Sequence, residues 1–265
     1  MNKSPILIEE EDSLRKITLN RPERRNAMTP EMQMELIAAL EDAPATGCRT
    51  LVLTGAGDAF CSGLDLTALQ PASLNALEAR AEAERVARMF LALHELEMPS
   101  IAAVNGPAIG GGAGLAAVCD FTLASPEARF GFTETRIGFV PAVVSAFLTL
   151  QIGEKRSRDL LMTGRIIDAE EAARLGLVNE IVPREELQHR ARSLAERLAA
   201  NSPQATRITR RLLATQWKAW LDAAMVAAIE ASVEARETED FREGVAAFLE
   251  KRKPSWKTKT EKAKR

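Results

Sequence analysis

Glu134 is the side chain most readily placed in chemistry. It stands in F-G-F-T-E-T-R-I-G-F-V-P, among Phe130, Phe132, Ile137 and Phe139. A carboxyl held among apolar side chains loses solvation, which raises its pKa. A group poised near neutral pH can both accept and donate protons. The second candidate is the run Gly110-Gly111-Gly112, inside S-I-A-A-V-N-G-P-A-I-G-G-G-A-G-L-A-A-V-C-D from Ser100 to Asp120. Three successive residues without Cβ let backbone N–H groups approach a ligand closely. The helix start that follows adds partial positive charge. Such a corner suits a group that carries or develops negative charge.

Few other residues invite chemistry. The two histidines, His94 and His189, sit in helical, charge-rich stretches and form no triad or metal spacing. The three cysteines (Cys48, Cys61 and Cys119) are an odd number with no CxxC, so neither a disulfide framework nor a metal site is expected. Cys61 has no histidine motif beside it and reads as small-residue packing rather than a nucleophile. Asp65 and Asp120 read as loop-capping residues. The net charge of -2 offers no field for nucleic acid or an anionic membrane. No apolar stretch is long enough to span a bilayer, and the N-terminal one is too short for a signal peptide. A cytoplasmic protein is the expectation.

Alternating strands and helices must position these residues. Ile6 to Ile8 and Leu14 to Leu19 read as strands joined by an acidic turn, Glu9 to Ser13. Pro22 to Arg25 reads as a polar loop. Thr29-Pro30-Glu31 is a helix start, followed by Met32, Leu36, Ile37 and Leu40 on one face. Leu51 to Thr54 is a buried strand, the loop Phe60 to Leu66 follows the next turn, and Ser73 to Glu97 reads as one long helix. Ile101 to Val104, Phe121 to Ala124 and Leu177 to Val182 are further strands, with Arg129 to Phe132 extended. Asp168-Ala-Glu-Glu171 is a capping box whose helix ends at Gly176. From Ser202-Pro203 the chain is helical, with Leu212, Leu213, Trp217, Trp220, Met225, Val226 and Ile229 as apolar stripes. These changes divide the chain into a core over residues 1–200 and a helical region over 201–265, ending in a basic tail, 257–265, expected to be flexible.

Five segments in order resemble the enoyl-CoA hydratase/isomerase (crotonase) superfamily. They are L-N-R-P-E-R-R-N-A-M-T, T-G-A-G-D-A-F-C-S-G-L-D-L, A-A-V-N-G-P-A-I-G-G-G-A-G-L-A-A-V-C-D, F-G-F-T-E-T-R-I-G-F-V-P and L-T-G-R-I-I-D-A-E-E-A-A-R-L-G-L-V-N-E-I-V. The resemblance runs from about residue 6 to about residue 253. It implies an α/β fold, a spiral of β-β-α turns with an all-helical C-terminal region that drives trimers or hexamers. It also implies an acyl-CoA thioester as substrate and no cofactor, coenzyme A being part of the substrate. The thioester oxygen would be held by the backbone N–H groups of Leu64 and Gly111, with Glu134 as the catalytic acid–base. Arg24, Arg25, Asn26, Ala27, Met28, Cys61, Ser62, Leu64, Asp65, Leu66, Gly110 and Gly111 would surround the substrate. Either Arg24 or Arg25 would meet a phosphate. Phe248 and Lys251 would cover the adenine.

One position departs from the pattern. Many hydratases of this family keep a second glutamate just after the three glycines, where this chain has Gly114. Two reactions remain open: addition or removal of water across the α,β bond, and double-bond migration with Glu134 alone. A catalytically silent acyl-CoA-binding subunit is a third reading. T-E-T-R-I-G-F-V-P-A-V-V-S reads closest to bacterial 3-methylglutaconyl-CoA hydratases of leucine breakdown. Such a substrate carries a second carboxylate and wants a cation, for which Arg136, Arg80, Arg85 and Arg88 are the candidates.

Overall fold

The computed structural model describes residues 4–67 and 75–256. Among the described residues the strands are β1 (Ile6–Glu11), β2 (Leu14–Leu19), β3 (Thr50–Gly55), β4 (Ser100–Val104), β5 (Ala108–Ile109), β6 (Phe121–Ala124), β7 (Arg129–Gly131), β8 (Ile166–Asp168) and β9 (Glu180–Ile181). Its α-helices are α1 (Pro30–Asp42), α2 (Ala76–His94), α3 (Gly111–Val118), α4 (Ala142–Ile152), α5 (Glu154–Thr163), α6 (Ala169–Leu175), α7 (Leu187–Ala199), α8 (Pro203–Gln216), α9 (Lys218–Glu237) and α10 (Glu239–Leu249).

One sheet has the order β1-β2-β3-β4-β6-β9 and a smaller one the order β5-β7-β8. β1 runs antiparallel to β2, and the pairs from β2 through β9 are parallel. Parallel strands buried on both faces are expected to be continuously apolar. Accordingly Leu51, Leu53, Ile101, Ala102, Ala103 and Val104 are all inaccessible to solvent. The β1–β2 hairpin differs from expectation: Glu9, Glu10 and Glu11 continue the strand opposite Lys16, Arg15 and Leu14. Glu9 pairs with Lys16 and Glu10 with Arg15, and these ion pairs support the extended backbone where a turn was expected.

The predicted helix starts hold where a side chain caps the backbone. Thr29 accepts from Met32 N, Asp168 from Glu171 N and Ser202 from Ala205 N. At α6 only this half of the capping box is made, because Glu171 turns instead to Arg165. Within the described residues the long central helix begins at Ala76, capped by Asn75 in a full capping box with Glu78. The start expected at Ser73 lies outside the described residues, as does the basic tail 257–265.

Packing crosses the composition change near residue 200. α9 lies on α2 and α4, and its Leu221, Met225 and Ala228 belong to the main apolar core. Helix α10 packs against the short turn that carries Glu134. The stripe residues Leu212, Leu213, Trp217, Trp220 and Val226, by contrast, are exposed. Among the described residues, no helix is long and apolar enough to cross a membrane.

Candidate active site

The two glycine-bearing loops are fastened together by backbone bonds. Phe60 N and Cys61 N donate to Pro107 O, and Ile109 N donates to Cys61 O at 2.9 Å. This contact requires Gly112: a Cβ there would stand 2.2 Å from Cys61 O. Met28 N donates to Gly63 O, and Asp65 N to Met28 O, which fixes the peptide between Gly63 and Leu64. Among the described residues, neither Leu64 N–H nor Gly111 N–H has an internal acceptor. Gly111 opens α3, where the first N–H groups have no intrahelical partner. The two donors are neighbours, since a Cβ on Gly63 would stand 3.6 Å from Gly111 N.

The small sheet delivers the acid to the same place. Ile109 of β5 pairs with Gly131 of β7, and Gly110 N donates to Gly131 O at 2.7 Å. Three residues beyond Gly131, a 3-10 turn runs Glu134–Ile137. Phe139 N returns to Glu134 O at 3.0 Å, and α10 braces the turn so closely that a Cβ on Gly244 would meet Ile137 O at 2.2 Å. The Glu134 carboxylate lies over Gly110, 3.1 Å from where a Cβ would stand. Gly110 has φ +55°, ψ -126°, a conformation that side-chain-bearing residues avoid, so this position needs glycine on two counts. Glu134 Oε2 is buried without a hydrogen-bond partner. Burial pushes the carboxyl up to about 7, opposed only by its own backbone N–H.

Around these groups lies a cavity of about 310 Å³. Arg24, Ala27, Met28, Ser62, Leu64, Asp65, Leu66, Gly110, Gly111, Glu134 and Phe248 all line it. Its other walls are mainly apolar: Val86 and Phe90 from α2, Ile137 and Phe139, and Val143 and Val144 from α4.

Four of the predicted residues do not line this cavity, each for a visible reason. Arg25 occupies a left-handed position (φ 49°) that closes the turn after Pro22–Arg24, so Arg24 is the arginine that faces the cavity. Asn26 is fully buried. Its Nδ2 donates to the carbonyls of Ala56, Ala59 and Phe60, and its Oδ1 accepts from Arg21 N. It holds the loop before Cys61 instead of facing a ligand. Cys61 is buried, with Sγ donating to Asn26 O, and burial holds its thiol up at about 12, far from a reactive thiolate. Lys251 sits at φ 55° beyond the end of α10, exposed to solvent.

The two aspartates behave as loop anchors. Asp120 Oδ2 accepts from Ser100 N and Oγ and from Arg210 Nε. Asp65 accepts from Thr67 and pairs with Arg21 at 3.0 Å. Burial would raise its pKa, but these bonds outweigh burial and hold it low. None of the arginines considered for a substrate carboxylate reaches the cavity. Arg80 pairs with Glu230, Arg85 donates to Gln33, Arg88 grips Glu41, and Arg136 packs over Gly164. A different arginine, Arg236 of α9, lines it together with Ser232. Nothing in the sequence around Arg236 sets it apart from other helical arginines; only the packing of α9 on α2 brings it inward.

Gly114 faces an apolar wall. A Cβ there would stand 2.6 Å from both Phe90 Cε1 and Val144 Cγ2, so a glutamate side chain has no room. Among the described residues, no group of three or more His, Cys, Asp or Glu is placed to hold a metal ion.

Two neighbouring backbone donors without internal acceptors, beside a desolvated carboxyl, form an arrangement chemically able to stabilise and protonate an oxyanion. Residues 9–259 match the model of the enoyl-CoA hydratase/isomerase family, and the chain belongs to that family. It is 45% identical over 90% of its length to a Thermus thermophilus protein provisionally named an enoyl-CoA hydratase, covering 95% of that protein. It is 35% identical to the crotonyl-CoA hydratase of Syntrophomonas wolfei, over 96% of this chain and 98% of the relative. The solved enoyl-CoA hydratase/isomerase of Pseudoalteromonas atlantica superposes with a TM-score of 0.86 at 33% identity, covering 96% of this chain and all of that one. The α/β architecture is thus the crotonase fold, with its helical C-terminal region.

Proposed function

We propose that this chain adds water across, or removes it from, the α,β bond of an enoyl-CoA thioester. The observation that carries this reading is Glu134: a buried carboxylate, its Oε2 unpartnered and its Oε1 lying over Gly110, the residue that precedes the free Gly111 N–H. In this reading Leu64 N–H and Gly111 N–H hold the thioester oxygen. Water attacks Cβ as Glu134 takes one of its protons, and the π electrons move to the oxygen as an enolate. The enolate then collapses as Glu134 returns that proton to Cα, which regenerates the carboxylate. One carboxyl suffices because its pKa near 7 lets it act in both directions at neutral pH. The mechanism draws on no cofactor besides the coenzyme A of the substrate.

The finer reading is a branched or dicarboxylic acyl group such as 3-methylglutaconyl-CoA, in the cytoplasm. A homotrimer or hexamer belongs to the same reading; the exposed face of Leu212, Leu213, Trp217 and Trp220 fits a second copy of this chain. Light scattering is expected to give a multiple of 28.9 kDa. The apolar wall at Gly114 favours one alternative, double-bond migration by Glu134 alone. Proton NMR in D₂O with crotonyl-, 3-methylglutaconyl- and 3-enoyl-CoA separates the two. A β-hydroxyacyl product supports hydration; migration with no water adduct overturns it. No turnover of any thioester, with CoA binding retained, would make the chain a silent acyl-CoA binder.

A further inference from the structure

The cavity wall built by α2 and α9 contains a charge that the proposed hydration does not use. Arg236 lines the cavity yet is only 8% exposed. Its Nη2 contacts Glu82 Oε1 at 2.9 Å, its Nη1 donates to Ala79 O at 3.1 Å, and its guanidinium lies 5.3 Å from the centre of the Phe139 ring. Its Nε has no partner. Ser232 stands one helical turn earlier on the same face and also lines the cavity. Among the described residues, no side-chain hydrogen bond engages its hydroxyl.

Joining α9 to α2 does not require this arrangement. Elsewhere α9 packs on the core through Leu221, Met225 and Ala228. A buried ion pair loses about as much in desolvation as it gains in attraction, so it is a poor device for stability alone. A guanidinium carries five N–H donors in a planar fork that matches a carboxylate, and its contacts here leave donors over. Ala83 and Val86, which α2 also contributes to the lining, are apolar and offer a polar tail no partner. Burial pushes the Glu82 carboxyl upward, although Arg236 pulls the other way.

We propose that Arg236 and Ser232 receive a carboxylate at the far end of the acyl tail, making this a site for dicarboxylic acyl-CoA thioesters. The inference rests on the enoyl-CoA reading of the site. It replaces Arg80, Arg85, Arg88 and Arg136 as the cation for such a tail.

The test compares trans-2-hexenoyl-CoA with its ω-carboxyl analogue on the full chain. Wild type is expected to show the higher kcat/KM for the ω-carboxyl substrate. Removing one charge-assisted hydrogen bond typically costs a factor of about 10 to 100. The preference ratio is therefore expected to fall by that factor in Ser232→Ala combined with Arg236→Met and Glu82→Gln, which leaves no lone buried charge. Arg88→Ala is the surface control and should leave the ratio unmoved. An equal loss for both substrates overturns the proposal, because it marks either a structural role or a contact to a CoA phosphate. A wild-type preference for the methyl-terminated tail also overturns it. If neither substrate turns over, calorimetry with adipoyl-CoA against hexanoyl-CoA decides. Tighter adipoyl-CoA binding that is lost in the variant upholds the inference while hydration fails; equal binding of the two overturns it.

Discussion

Replacing Glu134 with Gln should destroy activity and, at alkaline pH, stabilise the fold. The carboxyl rises from an ordinary 4.5 to about 7 because burial penalises its charged form. Between those two values the folded chain binds more protons than the unfolded chain, so stability falls as pH rises through this window. Below about 4.5 the group costs nothing on this account, and above about 7 the cost is complete. Each tenfold change in proton affinity is about 1.4 kcal/mol. The full rise thus corresponds to about 3 kcal/mol, an order-of-magnitude figure for a buried group. Gln has the same shape and no charge, so it escapes this term, while any loss in hydrogen bonding is common to both ends of the pH range. Thermal melts of wild type and Glu134→Gln at pH 5 and pH 8.5 measure the difference directly. The variant should gain several degrees relative to wild type at the higher pH, on the order of 5–10 °C. Its kcat should fall by about 10²- to 10⁴-fold, as expected for loss of a proton-transfer group. A melting difference that is the same at both pH values would refute the claim that Glu134 is held charged against a desolvation penalty.

Three further outcomes follow from the packing. Gly110→Ala puts a Cβ 3.1 Å from Glu134 Oε1 at φ +55°; kcat should drop at least tenfold with the chain still folded, and unchanged turnover would sink the proposed contact. Gly114→Glu should destabilise by about 1–3 kcal/mol or more from overpacking against Phe90 and Val144. It should bring no gain in hydration, and a faster hydratase with wild-type melting would show that the wall yields. Asn26→Ala strips the shared donor from the Ala56, Ala59 and Phe60 carbonyls, at a cost of about 1–3 kcal/mol by denaturant titration. Its kcat should fall as the Leu64 loop loosens, whereas a kcat unchanged at wild-type stability would remove Asn26 from loop support.

Much of the fold was legible locally. Strands such as Leu51 to Thr54 announce themselves as apolar runs, and Thr29-Pro30 and Ser202-Pro203 mark helix starts through residues that satisfy their own backbone. The errors arose where a distant partner decides. Glu9 to Glu11 read as a turn because their acidity is visible and their cross-strand partners Arg15 and Lys16 are not. Asn26 sits within a motif that points to a ligand, yet its side chain turns to three carbonyls some 30 residues on.

The same division runs through the site. Glu134 among phenylalanines and three glycines at a helix start are local patterns, and their chemistry follows from residue type alone: a desolvated acid and exposed N–H donors. That the acid lies over Gly110 depends on the pairing of β5 with β7 and on the brace of α10, contacts between segments far apart in the chain. Why Gly114 carries no acid was likewise undecidable from sequence, because Phe90 and Val144 come from two other helices. Arg236 shows the limit most plainly. A helical arginine reads as solvated by default, since its charge is cheapest in water, and only the packing of α9 against α2 and Phe139 turns it into the wall of the cavity.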